Sequence, residues 1–150
     1  MSASTTTVYE AAGGRDGLLA LAAAWHQRVL ADPVVEHAFS HGFRPDHTER
    51  LAAYWAEALG GPTDYSAGLG TETEVRRIHA GNGEHGEMDA RAIECFRLAL
   101  TDAGLTGDVA ATLLAYFTWA TGTMAEYPDT PDDVPDGLPI ARWGWDGPVS

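Results

Sequence analysis

Apolar residues recur along this chain at spacings of three and four, in blocks broken by Gly, Pro and Asp. That period belongs to amphipathic helices rather than to strands. TVYE, from Thr7 to Glu10, has capping-box spacing, and Gly13-Gly14 ends the short helix it starts. Asp16 can cap a second helix whose apolar line is Leu18, Leu21, Trp25 and Val29, closed by Asp32-Pro33. Pro33 opens a further helical turn with Val34, Val35, Ala38 and Phe39, and SHGFRP reads as a loop. A helix is predicted from Asp46 to Leu59, stopped by Gly60-Gly61-Pro62. A polar, glycine-containing stretch leads to the helix TETEVRRIH. Asp89 then caps a long helix with Ala92, Ile93, Phe96, Ala99 and Leu100 inward, ending near Gly104. Thr106 or Asp108 caps the last helix, with Leu113, Tyr116, Phe117, Ala120 and Met124 at core spacing up to Tyr127-Pro128. β-branched residues never alternate with polar ones over a useful run, so no strand is predicted.

The expected architecture is therefore all-α, with helices of unequal length and some long connections, unlike an up-down bundle. Residues 1–127 read as one domain. Residues 128–150 are rich in Pro, Asp and Gly, yet LPIARWGWDGP carries Trp143 and Trp145. Solvated tails rarely keep two tryptophans. We expect an irregular segment folded back onto the helices, with the indoles plugging an edge of the fold or, less favoured, an interface.

With 150 residues and 45% hydrophobic content, the chain can bury a core without cross-links. Cys95 is the single cysteine, which excludes an internal disulfide and a cysteine-built zinc site; Cys95 reads as a small core residue. No apolar stretch approaches membrane-spanning length, and the N-terminus lacks a basic start followed by an apolar block. A cytoplasmic protein is expected. The net charge of −13 opposes nucleic acid and anionic membranes as partners.

The six histidines are sorted by helix face. His79 shares a face with Val75 and is expected to point inward. His47 starts an apolar face that continues through Leu51, Tyr54, Trp55 and Ala58, and His26 shares a line with Leu19, Ala22 and Leu30. A single inward histidine is usually a hydrogen-bonded core residue. Three on separate helices are different, because each unsatisfied ring nitrogen costs roughly 1–3 kcal/mol, and a common pocket becomes the better account. His37 and His41 read as solvated. His79 and His85 resemble a metal-ligand pair but bring no third ligand, so a mononuclear zinc site is a weak reading. GGRDG and GNGEHG lack the strand and the Lys-Ser/Thr of a phosphate loop.

YEAAGG, AAWHQRVLADPVVEHAF, HTERLAAYWAEALGGPTDYS and VRRIH together resemble the truncated haemoglobins, group II in particular, over roughly residues 8 to 126. The resemblance implies a truncated globin-like helical sandwich binding haem b, with His79 as the proximal iron ligand. It also implies that Phe39 holds the porphyrin, and that His47, Leu51 and His26 line the distal side. Arg76 and Tyr65 become partners for the haem propionates. Group II proteins usually carry a tryptophan thirteen positions after the proximal histidine and a tyrosine in place of His26. This chain has Ala92 and His26 there, so two imidazoles and extra space replace the indole and phenol donors.

The function implied is binding of a diatomic gas (oxygen or nitric oxide) or peroxide at the iron. A haem-dependent oxidoreductase of peroxidase or nitric oxide dioxygenase type is a further option, with His47 and His26 as its catalytic residues and an external electron donor. A homodimer is an expected assembly. The competing reading is a haem-free helical interaction or regulatory module that keeps the globin fold.

Overall fold

The computed structural model describes residues 6–36, 45–81 and 86–149. Seven α-helices follow one another among them: α1 (Val8–Ala11), α2 (Gly14–Ala31), α3 (Pro33–Glu36), α4 (His47–Ala58), α5 (Glu72–His79), α6 (Gly86–Asp102) and α7 (Gly107–Met124). A wide turn of π-helix, Tyr65–Leu69, links α4 to α5. After α7 come a 3₁₀ turn (Pro131–Asp133) and a two-stranded antiparallel hairpin, β1 (Arg142–Gly144) and β2 (Gly147–Val149).

The local punctuation acts mostly as its chemistry requires. The Thr7 side chain accepts from the Glu10 amide while Glu10 reaches back to the Thr7 amide, so α1 starts in a full capping box. Asp16, however, does not cap α2. That helix begins two residues earlier, after Gly13, whose left-handed backbone (φ 98°) makes the turn itself. Similarly α6 begins at Gly86, ahead of Asp89, whereas Thr106 stands at the N-cap of α7.

Helix α2 packs against α4 and α6, and α6 against α7. Leu18, Leu21, Ala22, Val29, Ala99 and Phe96 are fully enclosed there. Four aromatic rings lock the middle. Phe96 and Phe117 stack with centroids 4.2 Å apart, and Trp55 meets Phe96 edge-on at 5.4 Å. Trp25 meets Trp55 at 6.3 Å and anchors its indole N–H on the Ala92 carbonyl at 3.1 Å. Offset and edge-on pairs such as these add about 0.5–1.5 kcal/mol each beyond their buried area. Cys95 is buried beside this cluster.

The two Gly-Gly motifs meet in space. The Tyr9 amide donates to the Leu59 carbonyl at 3.0 Å, and the Tyr9 ring lies flat against Gly61, where a Cβ would stand 2.6 Å from it. Gly61 is therefore glycine for clearance.

The segment after α7 returns to the helices. Val134 is buried, and Trp143 packs against Trp119 (5.2 Å) and Tyr116 (6.0 Å). Trp145 remains partly exposed but donates its indole N–H to the Thr6 carbonyl at 2.9 Å. Both tryptophans thus close an edge of the helical body. The hairpin that carries them departs from the strand-free expectation. Its short strands follow from a tight turn at Trp145-Asp146 ahead of Gly147 (φ 108°), not from periodicity. Among the described residues no helix is long and apolar enough to cross a membrane.

Candidate functional site

His79 is the last residue of α5, and its Nδ1 lies 2.8 Å from the Val75 carbonyl oxygen. A carbonyl only accepts, so Nδ1 carries a proton, and in the neutral ring the lone pair is on Nε2. The same bond orients the ring, as second-shell bonds do for metal-bound imidazoles. The inward placement expected for His79 is not what the structure has: the ring is exposed, and the neighbouring Ile78 is 75% exposed. His79 is the last residue of α5, so no further turn of that helix covers its side chain. What α5 presents at its end is an exposed ring beside an exposed apolar residue.

His26 on α2 is buried and His47, at the start of α4, is half-buried. Their ring centroids are 5.1 Å apart at a tilt of 45°. Burial pushes the pKa of His26 down. His47 is pushed down by burial and then by the charge of His26, with Asp46 and Glu49 pulling the other way. His79 adds to the downward push on His47, so the three imidazoles from α2, α4 and α5 share one electrostatic neighbourhood. Both rings of the pair are neutral near pH 7. Leu51 lies one turn beyond His47, half-buried at the edge of the core, and Ala92 is half-buried on α6.

The remaining predicted residues are occupied elsewhere. Arg76 pairs with Glu72 and, at 3.1 Å, with Glu126, and its side chain is only 12% exposed. Tyr65 is buried, edge-on to Tyr54 at 5.4 Å, with the Arg50 guanidinium 5.9 Å over its ring. Phe39 and His85 lie outside the described residues, and with them the His79–His85 pair.

From the sequence, Arg76-Arg77 beside Glu72 and Glu74 reads as a solvated helix face with i, i+4 pairing; the Arg76–Glu72 pair is there, but the burial of Glu72, and of Glu57, was not foreseen. Glu72, at the first position of α5, is 2% exposed; it accepts from the Tyr54 hydroxyl at 2.5 Å and from Arg76. Burial, with Tyr116 and Glu72 adding, holds the Tyr54 hydroxyl protonated far above its ordinary range. Tyr54 follows His47 and Leu51 on one face of α4, so this bond joins the His47 helix to the His79 helix. Glu57 is equally buried, accepting from the Ser66 amide (2.9 Å) and hydroxyl (2.5 Å). A glutamate on an otherwise apolar stretch of α4, between Ala56 and Ala58, was the one available signal.

A separate cleft of about 240 Å³ opens on the other side of α4, between Tyr9, Leu19, Arg50 and Ala53. Among the described residues no histidine lines it.

Residues 7–125 match the family model of the bacterial-like globins. The chain belongs to that family, and its fold is that of the truncated haemoglobins. Among solved structures it is similar to a thermostable haemoglobin from Thermobifida fusca, at 29% identity and a TM-score of 0.67, covering 79% of this chain and 96% of that one. A haemoglobin from Chloroflexus aurantiacus aligns at 27% identity and a TM-score of 0.69, covering 79% and 97%. The group II truncated haemoglobin of Bacillus anthracis shares the fold at a TM-score of 0.73 and 19% identity, over 84% and 95% of the two chains. No curated protein matches the chain.

The globin family implies haem iron as cofactor. The residues present fit that group. His79 commits Nδ1 to the backbone, so Nε2 is the ring nitrogen that would ligate, Ile78 beside it offers exposed apolar surface, and a neutral imidazole pair stands on α2 and α4.

Proposed function

We propose that this globin holds haem b through His79 and takes a diatomic gas (oxygen or nitric oxide) or peroxide on the side of His26 and His47. The observation that carries the reading is the His79–Val75 hydrogen bond, which engages Nδ1 and fixes the orientation of the ring at the end of α5. Bound haem would supply an iron centre that takes a small ligand and exchanges electrons with it.

The chain's own part is polar and steric. Because burial keeps His26 and His47 neutral, each offers one N–H and one lone pair. The N–H can donate to a ligand bearing partial negative charge, contributing about 1–2 kcal/mol, or roughly tenfold in release rate. The lone pair can instead accept a proton from peroxide, the role of a general base. Either ring could also occupy the open side when no ligand is there. Leu51 and, by family resemblance, Phe39 provide apolar lining, while Ala92 leaves room for a ligand larger than a diatomic. A redox cycle would draw on an external electron donor.

Hemin added to the purified chain should produce an intense haem absorption band that is lost in His79→Ala. Spectra of the ferric, ferrous and carbon-monoxide forms would report the resting coordination, and His26→Leu and His47→Leu would assign any histidine on the open side. A chain that stays colourless with hemin overturns the reading and favours the haem-free module.

A further inference from the structure

The match to the globin family ends at residue 125, yet the segment beyond it grips the helix that carries His79. Thr73, 5% exposed on α5, donates its hydroxyl to the Pro135 carbonyl at 2.9 Å and accepts from the Leu138 amide at 3.0 Å. One turn on, Arg77 donates to the Val134 carbonyl at 3.1 Å and to the Asp136 carboxylate at 2.7 Å. Two residues past His79, the Gly81 amide donates to the Tyr127 carbonyl at 2.9 Å, and Pro131 packs directly on Gly81, where φ is 78°. The segment is itself anchored at its far end, by Arg142 donating to the Glu57 carbonyl at 3.1 Å and by Trp143 against Trp119.

We propose that residues 127–138 form a strap that sets the axial position and rotation of α5, and that Thr73 and Arg77 are positioning residues for the His79 imidazole. This rests on the reading of His79 as the iron ligand. The geometry favours it over simple tail docking. Thr73 and Arg77 are one turn apart and lie before His79, while Gly81 lies after it, so the helix is held on both sides of the ring. Thr73 uses its single hydroxyl as donor and acceptor at once, which tolerates little sliding along the helix axis. An eight-residue helix whose buried residues are Glu72 and Thr73 has little apolar surface to hold its place otherwise.

The test uses the full chain with Thr73→Val, Arg77→Met and, as the conservative control, Thr73→Ser. In the haem-free protein, hydrogen exchange of the α5 amides should quicken about tenfold in Thr73→Val and Arg77→Met, with α2 and α6 unmoved and near-normal protection in Thr73→Ser. In the hemin-loaded ferrous protein, the iron–histidine stretching frequency should shift in Thr73→Val and return in Thr73→Ser, which a merely structural role would not produce. Unchanged exchange overturns the strap, and loosened amides with an unmoved stretch overturn its action on His79. A wild-type chain that takes up no hemin overturns the ligand reading instead. Exchange then decides the strap alone: faster α5 amides in Thr73→Val support it, and unchanged ones overturn it.

Discussion

The body formed by α2, α4, α6 and α7 and the helix α5 are held by opposite kinds of force. In the first, Leu18, Trp55, Phe96 and Phe117 bury large apolar surfaces, and direction matters little as long as volume is filled. In the second, the enclosed groups are Glu72 and Thr73, and what holds them is directional: Tyr54 and Arg76 donate to Glu72, Leu138 donates to Thr73, and Thr73 donates to Pro135. Apolar packing gives a scaffold that forgives small shifts. A polar cage does not, and it holds the helix that ends in His79. The body stands for stability and α5 for placement.

Four changes would break or sharpen this contrast. The largest effect is expected for Trp55→Ala, which opens a cavity among Trp25, Phe96 and Phe117. It should cost about 3–5 kcal/mol in urea unfolding, and loss of less than about 1 kcal/mol would mean that the body is not the stabilising half. Next, Arg76→Met strands the buried Glu72 carboxylate and should cost about 3 kcal/mol, the low end for breaking a buried pair. If the cage is the whole story, much of that loss returns in the double variant Arg76→Met with Glu72→Leu. Gly61→Ala presses a methyl into the Tyr9 ring and should cost about 1–3 kcal/mol, read as a lowered Tm.

The smallest effect is a slope. His26 and His47 have pKa values lowered below 6.5 in the fold. As pH falls through 6.5 the unfolded chain therefore takes up protons first, and the haem-free protein loses stability from there down to the folded-state values. Above that window both rings are neutral in both states and the contribution is flat. Replacing either histidine by Gln should flatten the slope between pH 7 and 5. An unchanged slope would show that these rings do not sense their burial.

How far the sequence carried this picture depends on the range of the forces involved. Caps, glycine stops and the Asp32-Pro33 break are local, and the helices were legible from them to within a few residues. The approach of His26 to His47 was legible because both lie on the apolar faces of their helices. The exposure of His79 was not, since a helical period says which side a residue lies on but not whether anything covers it. Nor were the Tyr54–Glu72 bond, eighteen residues apart, or the Thr73 bonds to the tail, more than sixty apart. Such pairings carry no periodic trace. Gly13 misled the other way: its backbone turn started α2 without the side-chain cap offered by Asp16.

The buried thiol of Cys95 has a practical consequence. Burial raises its pKa, and packing beside α2 hides it from solution, so both nucleophilicity and access are suppressed in the native state. A maleimide dye added to the intact protein will then tag molecules only as fast as α6 comes loose. One natural cysteine gives a clock for opening, and no engineered probe is required.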